Sequence, residues 1–222
     1  YKFYSEWSKF FAKRLEEKNM YLGDKTKHEG YFGIKSETAK GSKVADLKEF
    51  YHYYDKKGTL DPISNSDVIY NLLEDLGLKL LKATEFGLPA SVQANLSESL
   101  MSMVDGSQQT LLRILHYPPV SDPNEIRAAE HEDINLITIL PMGTARGLEV
   151  KDLQGNWHEV VGASDAIVVN VGDMLQEATR GHLKSTPHRV VNTDGNISRY
   201  SAPLFIHPRP EVVLSPRYTA AS

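Results

Sequence analysis

The sequence HEDINLITIL, residues 131–140, opens the part of the chain that decides the fold. It places a histidine and an aspartate, His131 and Asp133, directly before a run of apolar and β-branched residues that predicts a largely buried strand. On a strand, positions i and i+2 point to the same face, so we expect both side chains to aim at one point while Glu132 faces away. A similar strand begins at His188. Pairing of the two strands would bring the three side chains together.

These three side chains form a ligand set for a metal ion. Two histidines and one carboxylate are the facial arrangement that holds non-haem Fe(II) and leaves coordination positions open for small molecules. A short pattern of this kind is weak by itself, because a chain with eight histidines produces a His-x-Asp sequence easily by chance. The interpretation therefore depends on the order of the motifs around it.

From residue 111 onward, the sequence predicts short strands separated by turns. The candidate strands are residues 111–117, 134–140, 148–151, 157–161, 166–170, 188–192 and 199–206. Turn residues such as Gly155-Asn156 and Asp194-Gly195 lie between them. Many short strands at even spacing favour a sandwich or barrel, and a double-sheet jelly roll is one way to remove exposed edges.

The part of the chain before residue 111 is predicted to be mainly helical. Apolar residues at helical spacing predict helices over residues 4–19, 66–86 and 91–103. Residues 23–43, rich in Gly, Lys, Ser and Thr, predict irregular structure. Residues 46–54 contain an aromatic cluster that either packs in the core or lines a substrate pocket. Helices followed by strands indicate an α+β fold.

A family resemblance is carried by five motifs that occur in a fixed order. They are LRILHYPP at residues 112–119, GLEV at 147–150, GDML at 172–175, STPHRV at 185–190 and RYSAPLF at 199–205. With them the chain resembles the isopenicillin N synthase-like branch of the 2-oxoglutarate and Fe(II)-dependent dioxygenases. The specific part covers roughly residues 111–210. A weaker match at Gly30-Tyr31 and residues 46–50 resembles the helical region before the barrel in that family.

The resemblance implies a double-stranded β-helix, the cupin-like jelly roll, with N-terminal helices packed on it. We expect a single domain over residues 1–222, with a mainly helical part at 1–108 and the catalytic core at 109–210. Relatives usually carry a further strand and helix before the position of Tyr1. We therefore expect that the true N-terminus is missing from this chain.

The resemblance also implies a role for each motif residue. His131, Asp133 and His188 would bind Fe(II), with both histidines neutral so that each can donate a lone pair. Arg199 and Ser201 match the Arg-x-Ser element that holds the distal carboxylate of 2-oxoglutarate. A guanidinium fork meets a carboxylate with two hydrogen bonds, and a hydroxyl on the same strand face adds another. The alternatives are a structural ion pair for Arg199 and an ordinary strand position for Ser201.

Further candidates lie around the Tyr-Pro pair. Tyr117 matches a tyrosine that often joins the same carboxylate, and a plain core position is an equal alternative. Many plant relatives have asparagine and tyrosine where this chain has Leu115 and His116, a difference that we expect to alter cosubstrate geometry or substrate contacts. Arg113, Leu115 and Arg180 are candidates for the substrate side, where an arginine would suit a substrate carboxylate.

The function that the resemblance implies is a 2-oxoglutarate-dependent oxygenase. It would use Fe(II) and O2 to hydroxylate or desaturate a small-molecule substrate, releasing succinate and CO2. Two alternatives remain. An oxidase resembling isopenicillin N synthase would use the same iron ligands without 2-oxoglutarate, and its Arg-x-Ser pair would hold a substrate carboxylate. A jelly-roll metal-binding protein would keep the fold without catalysis.

Composition excludes several other classes of function. The net charge of −4 gives no support for nucleic acid or an anionic membrane as a partner. The absence of cysteine excludes disulfides, zinc–thiolate sites and a cysteine nucleophile. No apolar run approaches the length of a transmembrane helix. We expect a cytoplasmic protein, and the sequence leaves its oligomeric state undetermined.

Overall fold

The computed structural model describes residues 2–23, 28–36, 46–120, 126–193, 196–215 and 218–219. The helices are α1 (Lys2–Phe11), α2 (Leu15–Asn19), α3 (Ser66–Gly87), α4 (Ala90–Gln93), α5 (Leu100–Val104) and α6 (Asp173–Ala178), with a 3-10 helix at Asp55–Lys57. The strands are β1 (Gly30–Phe32), β2 (Glu49–Tyr53), β3 (Leu111–Tyr117), β4 (Ile126–His131), β5 (Ile137–Pro141), β6 (Leu148–Lys151), β7 (Trp157–Glu159), β8 (Ile167–Val171), β9 (His188–Val191), β10 (Arg199–Ser201), β11 (Leu204–Ile206), β12 (Val213–Ser215) and β13 (Tyr218–Thr219).

Two antiparallel sheets form the core. The larger sheet has the order β1-β2-β3-β11-β5-β8, with β10 paired to β3 beside β11. The smaller sheet has the order β4-β9-β6-β7, and β12 and β13 form a separate ribbon. Neighbours in each sheet are mostly distant in sequence, as in a jelly roll. The predicted α+β jelly-roll fold is confirmed.

The central strands of the larger sheet are buried, and their side chains alternate between its two faces. On β3, β5 and β11, one set of residues packs against the helices; it comprises Leu112, Ile114, Ile137, Ile139, Leu204 and Ile206. The residues between them, such as Leu115, Thr138 and Phe205, face the smaller sheet and line a cavity. Period-two alternation therefore separates the structural face from the functional face.

The two sheets pack face to face through a second apolar cluster. Phe50, Leu115 and Tyr117 of the larger sheet meet Leu148 and Val190 of the smaller sheet. All five are buried. Leu115, Tyr117, Leu148 and Val190 also line the cavity, so this contact forms part of its wall.

Helix α3 packs on the outer face of the larger sheet. A Cβ atom at Gly77 would lie 2.0 Å from Cδ1 of Ile206 and 3.1 Å from Cγ1 of Ile139, so the helix comes close to β11 and β5 because residue 77 is glycine. The prediction for residues 66–86 is confirmed within one residue. Among the described helices, none has the length and apolar character needed to cross a membrane.

The prediction of one continuous helix over residues 4–19 is wrong. The chain forms α1 and α2 with a break between them, where Arg14 has an extended backbone. The break turns α2 so that Nζ of Lys18 donates to the carbonyl oxygen of Phe11, 3.2 Å away, and to the buried carboxylate of Glu49, 2.7 Å away. The first contact satisfies a carbonyl at the C-terminal end of α1.

The predicted helix over residues 91–103 is likewise two short helices, α4 and α5. Ser99 caps α5 by accepting a hydrogen bond from the backbone N–H of Ser102. Serine and asparagine side chains before this point compete with helical hydrogen bonds, which favours a break over a continuous helix.

Residues 46–54 include the weaker family match at residues 46–50, and no helix forms there. Their aromatic cluster is strand β2, which is buried along its whole length between β1 and β3. β1 itself falls within residues 23–43, for which irregular structure was predicted; residues 24–27 and 37–43 of that segment lie outside the described part. Aromatic residues are enriched in strands, so the sequence EFYHY itself agrees with a strand paired on both edges.

Several strand predictions need smaller corrections. The predicted strand 199–206 is divided into β10 and β11, because the chain leaves β10 at Ala202 and rejoins β3 through β11. The strand predicted over residues 134–140 begins at Ile137. Strand β4 was not predicted at all, since its sequence IRAAEH has no clear apolar period.

Candidate metal and cosubstrate site

The predicted metal ligands lie together between the two sheets. His131 ends β4 and His188 begins β9, and the two residues are direct partners in the antiparallel register. Their ring centroids are 4.3 Å apart. The potential ligand atoms of His131, Asp133 and His188 all lie within 4.8 Å of one another. The structure thus brings together three side chains spread over 58 positions of the sequence.

The two ligands of the His-x-Asp pair do not share a strand as predicted. His131 is the last residue of β4, whereas Asp133 lies in the irregular segment between β4 and β5. A backbone hydrogen bond from Asp173 N–H to the carbonyl of Asp133, 2.7 Å long, ties this segment to the start of α6. The convergence of the two side chains is therefore a property of the loop and its contacts.

Both histidines have a defined tautomer. Nδ1 of His131 lies 2.7 Å from the carbonyl oxygen of Ala129, and Nδ1 of His188 lies 3.0 Å from that of Thr186. A carbonyl only accepts, so each Nδ1 carries the proton and each Nε2 keeps its lone pair. Burial, together with the neighbouring His188, lowers the pKa of His131. Both features favour the neutral imidazole that binds a metal.

The carboxylate of Asp133 is oriented by two neighbouring strands. Its Oδ2 atom accepts hydrogen bonds from the Thr138 hydroxyl of β5 at 2.6 Å and from the Asn170 amide of β8 at 2.8 Å. Its Oδ1 atom points to the other side, 3.6 Å from Nε2 of His188. One oxygen is therefore held by the protein, and the other faces the two imidazoles.

Thr138 and Asn170 were not identified from the sequence. Each is a polar residue at an inward position of an otherwise apolar strand, Ile137–Pro141 or Ile167–Val171. A polar side chain in that position needs a hydrogen-bond partner. That pattern could have marked both residues, although it would not have named Asp133 as the partner.

The donor set fits Fe(II). Two neutral imidazole nitrogens and one carboxylate oxygen, all directed to one point, provide three ligands and leave the remaining positions of an octahedral ion open. The hydrogen bonds on the far side of each ligand correspond to the supporting contacts that orient metal-binding residues. His131, Asp133 and His188 could therefore hold the iron.

A cavity of about 190 Å³ adjoins these ligands. The smaller sheet contributes apolar residues such as Leu148 and Val190, and the larger sheet contributes Tyr117, Arg199 and Ser201. The predicted metal ligands and cosubstrate residues thus line one space.

Arg199 is a buried cation beside this cavity. Its side chain is 2% exposed, and its Nε–H donates to the carbonyl of Ala145 at 3.1 Å. Its Nη1 atom is buried and has no hydrogen-bond partner among the described residues. Burial lowers the pKa of Arg199, while Tyr117 and Tyr4 act in the opposite direction. A guanidinium stays charged in proteins, so this site requires an anion.

Ser201 and Tyr117 border the same cation. Ser201 follows two residues after Arg199 on β10, so both side chains point to the same face. Tyr117 lies opposite Arg199 on β3, and the guanidinium carbon is 5.3 Å from its ring centroid. A cation over an aromatic face is a favourable contact that also orients the guanidinium plane.

The predicted substrate residues have different outcomes. Arg113 and Leu115 line the cavity on the same face of β3 as Tyr117. Arg180 is exposed in the turn after α6, with a backbone φ of 51°, and does not line the cavity. Its position gives no support to the predicted role. His116 points to the opposite face of β3, where Nδ1 contacts Glu49 at 2.7 Å, so this departure from plant relatives lies outside the cavity.

Comparison with known families gives two matches. A family model for the 2OG-Fe(II) oxygenase superfamily matches residues 87–208. A second model, described as the N-terminal region of a non-haem dioxygenase in morphine synthesis, matches residues 1–72. The first match contains all the predicted metal and cosubstrate residues.

Individual relatives agree with these matches. A feruloyl CoA ortho-hydroxylase from Ipomoea batatas is 30% identical over 217 residues, which cover 94% of this chain. The chain spans 59% of the length of that relative. The solved structure of a protein from Shewanella oneidensis, described as an oxygenase, is 46% identical with a TM-score of 0.85, covering 98% of this chain and 80% of that one. A full-length Neurospora crassa protein, solved in complex with alpha-KG, is 26% identical with a TM-score of 0.75, covering 94% of this chain and 71% of that one.

Proposed function

Because the chain belongs to the 2OG-Fe(II) oxygenase superfamily, we propose that it oxidises a small-molecule substrate by hydroxylation or desaturation. Membership of this family implies Fe(II) as the metal and 2-oxoglutarate as the cosubstrate. The most direct support for the proposal is that one cavity is lined by both a complete iron ligand set and a buried cation, Arg199. The Nη1 atom of Arg199 has no hydrogen-bond partner among the described residues, so this cation is suited to bind an anion. A purely structural metal site would need the iron ligand set but no buried cation beside it.

Each part of the site has a defined task in this proposal. His131, Asp133 and His188 hold the iron, and their supporting hydrogen bonds keep the three ligand atoms in place. Arg199 pairs with the distal carboxylate of 2-oxoglutarate and Ser201 adds a hydrogen bond to it. When bound, iron, 2-oxoglutarate and O2 supply the oxidative chemistry, with release of succinate and CO2.

The remaining task of the protein is to exclude water and to place the substrate. The cavity walls are mainly apolar, with Leu140, Leu148, Val168 and Val190 among them. Such walls hold an organic substrate by burial of its apolar surface and keep bulk water from the reacting atoms. The substrate is accordingly a small molecule with an apolar body.

We propose in addition that this substrate carries a carboxylate. Arg113 lines the cavity on the same face of β3 as Leu115 and Tyr117. A guanidinium at that position suits a carboxylate of a substrate, as Arg199 suits that of the cosubstrate.

The predicted cytoplasmic location and the division of the chain at residue 108 stay predictions.

The first test is an anaerobic titration of Fe(II)-loaded protein with 2-oxoglutarate. The proposal predicts a saturable visible charge-transfer band, which is absent in His188→Ala and weakened at least about tenfold in apparent affinity in Arg199→Gln. The exposed Arg14, which pairs with Glu17 on α2, provides a matched control, since Arg14→Gln should leave the band unchanged.

The outcomes separate the proposed function from its alternatives. Band formation followed by succinate release in air with a substrate panel supports the oxygenase. Fe(II) binding without a band removes the 2-oxoglutarate claim and leaves an oxidase that acts on a carboxylate substrate directly. Fe(II) binding with neither a band nor metal-dependent O2 uptake for any substrate would leave a metal-binding protein without catalysis.

A further inference from the structure

The cavity face of the larger sheet carries a cation at each end. The register of β2, β3 and β10 arranges its side chains in three rows, which are Tyr117 with Arg199, then Phe50 with Leu115 and Ser201, then His52 with Arg113. Arg113 lies four residues from Tyr117 along β3, a distance of about 13 Å at the usual rise of a strand. The two arginines therefore belong to separate subsites.

Arg113 is placed close to the iron ligands by a short chain of contacts. Its guanidinium carbon lies 5.5 Å from the ring centroid of Phe205. Phe205 is the direct strand partner of Thr138, which holds the carboxylate of Asp133. A carboxylate at Arg113 would thus put the neighbouring part of a small substrate beside the metal site.

His52 determines where the Arg113 side chain points. Nδ1 of His52 lies 2.6 Å from the carbonyl oxygen of His28, so this nitrogen carries the proton. Nε2 then has a lone pair, and it accepts a hydrogen bond from Nε–H of Arg113 at 2.8 Å. Burial, followed by the charge of Arg113, lowers the pKa of His52 well below its ordinary value. The imidazole is neutral, and only the neutral ring can accept this bond.

The rings around Arg113 support the same orientation. Its guanidinium carbon lies 4.9 Å from the ring centroid of Phe50, and Phe50 in turn packs against His52 with centroids 4.8 Å apart. Phe50 and Phe205 therefore border the guanidinium, while His52 binds its Nε–H. A guanidinium held at Nε and between rings presents its outer edge in a fixed direction.

The second cation near this region has a different role. Nζ of Lys48 lies 2.8 Å from the carboxylate of Asp46, and both side chains are buried. Asp46 also accepts a hydrogen bond from the backbone N–H of Ala129 on β4, at 3.3 Å. Lys48 also lines the cavity, but its ammonium takes part in a contact that joins the two sheets. Arg113 lines the cavity beside Phe205, whose strand partner Thr138 holds the carboxylate of Asp133. This placement makes Arg113 the better candidate for a substrate anion.

We propose that His52 is a positioning residue for substrate recognition: its neutral imidazole sets the direction of Arg113, which binds the carboxylate of an apolar small-molecule substrate. The inference rests on the proposed function and names the specificity element of that same site. His52 contacts neither substrate nor iron in this proposal. Its effect is confined to ligands that carry a negative charge.

Benzoate and its neutral amide, benzamide, are suitable probes. Binding of each is measured by calorimetry to anaerobic protein loaded with Fe(II) and 2-oxoglutarate, so that Arg199 is already occupied. Benzoate is expected to bind at least about tenfold more tightly than benzamide, the usual strength of a charge-assisted contact. His52→Leu should weaken benzoate about fivefold or more and leave benzamide unchanged.

Two further variants separate positioning from folding. His52→Gln keeps an acceptor for Nε–H of Arg113 and should restore benzoate affinity to within about twofold of the parent protein. His158, which is exposed on β7 and contacts Asp152 outside the cavity, is the matched control. His158→Leu should change the affinity for neither ligand.

The 2-oxoglutarate charge-transfer band distinguishes failure of the proposed function from failure of the inference about His52. If the parent protein shows no band, the proposed function fails first. If the band is normal, then equal affinity for benzoate and benzamide, or no binding of benzoate, overturns the inference. An equal loss of both ligands in His52→Leu, or no rescue by His52→Gln, also overturns it.

Discussion

Arg199 and Tyr117 lie directly opposite each other on β10 and β3, with the guanidinium carbon 5.3 Å from the centroid of the tyrosine ring. The ring covers one side of a cation that is 2% exposed. This contact gives Tyr117 two separable functions, since its ring orients Arg199 and its hydroxyl is available to a ligand carboxylate. Predicted core packing and predicted cosubstrate binding are therefore compatible roles of one residue.

Substitution of Tyr117 should separate these two functions. Tyr117→Phe keeps the ring and removes one hydrogen bond, so the dissociation constant of 2-oxoglutarate should rise about threefold to tenfold. Tyr117→Leu removes the ring as well and should weaken binding further. Anaerobic titration of the charge-transfer band measures both. Identical affinities for the phenylalanine variant and the parent protein would assign the hydroxyl no part in binding.

Thr138 should control metal affinity without touching the metal. Thr138→Val keeps the side-chain shape and removes the 2.6 Å hydrogen bond to Oδ2 of Asp133. Loss of such a supporting contact typically lowers metal affinity about tenfold to a hundredfold. Titration with Mn(II) under anaerobic conditions measures the effect. Thr138→Ser retains the hydroxyl and serves as the control; equal affinity in all three proteins would show that Asn170 alone is sufficient.

Glu49 should make stability depend on pH. Burial raises its pKa, but hydrogen bonds from His116, Lys18 and Tyr31 outweigh burial, so the pKa is lowered overall from its ordinary value of 4.5. A carboxylate with a depressed pKa contributes stability above the unfolded value, and this contribution disappears as the pH falls through the folded pKa. The network joins α2, β1, β2 and β3.

Glu49→Gln tests this dependence. Because Glu49 is 2% exposed, the variant should lose about 3–5 kcal/mol of unfolding free energy at pH 7. Urea unfolding at a series of pH values should show the difference between the two proteins shrinking below pH 4.5. A difference that stays constant from pH 7 to the acid limit would contradict the electrostatic explanation.

Gly77 should be intolerant of even one added carbon. A Cβ atom there would meet Cδ1 of Ile206 at 2.0 Å, so Gly77→Ala should overpack the interface of α3 with β11 and lower stability by about 1–3 kcal/mol. Gly87, the last residue of the same helix, has no atom within 4 Å of the corresponding position. Gly87→Ala should therefore leave stability unchanged or raise it by up to about 1 kcal/mol. Thermal unfolding of both variants compares them directly.

The local pattern of the sequence was sufficient for much of the fold and the motif residues. Strand β3 and helix α3 follow from apolar spacing alone, within one residue at their ends. The order of His131, Asp133, His188 and the Arg-x-Ser pair predicted the metal site, and the structure brings these residues to one cavity. Such features depend on residue type and on spacing within one element, which a sequence displays directly.

Tertiary structure alone decided the features that depend on pairing between distant segments. The aromatic cluster of residues 46–54 was open to more than one interpretation, and its place as β2 between β1 and β3 is fixed by pairing with both strands. Asp133 reaches the histidines from a loop because Thr138 and Asn170 hold it, the latter 37 positions away. His52 meets Arg113 across 61 positions because β2 and β3 are in one register. Strand register depends on contacts between segments that are distant in sequence. A sequence shows which residues share a face of one strand, but it does not show which residues of the neighbouring strand lie beside them.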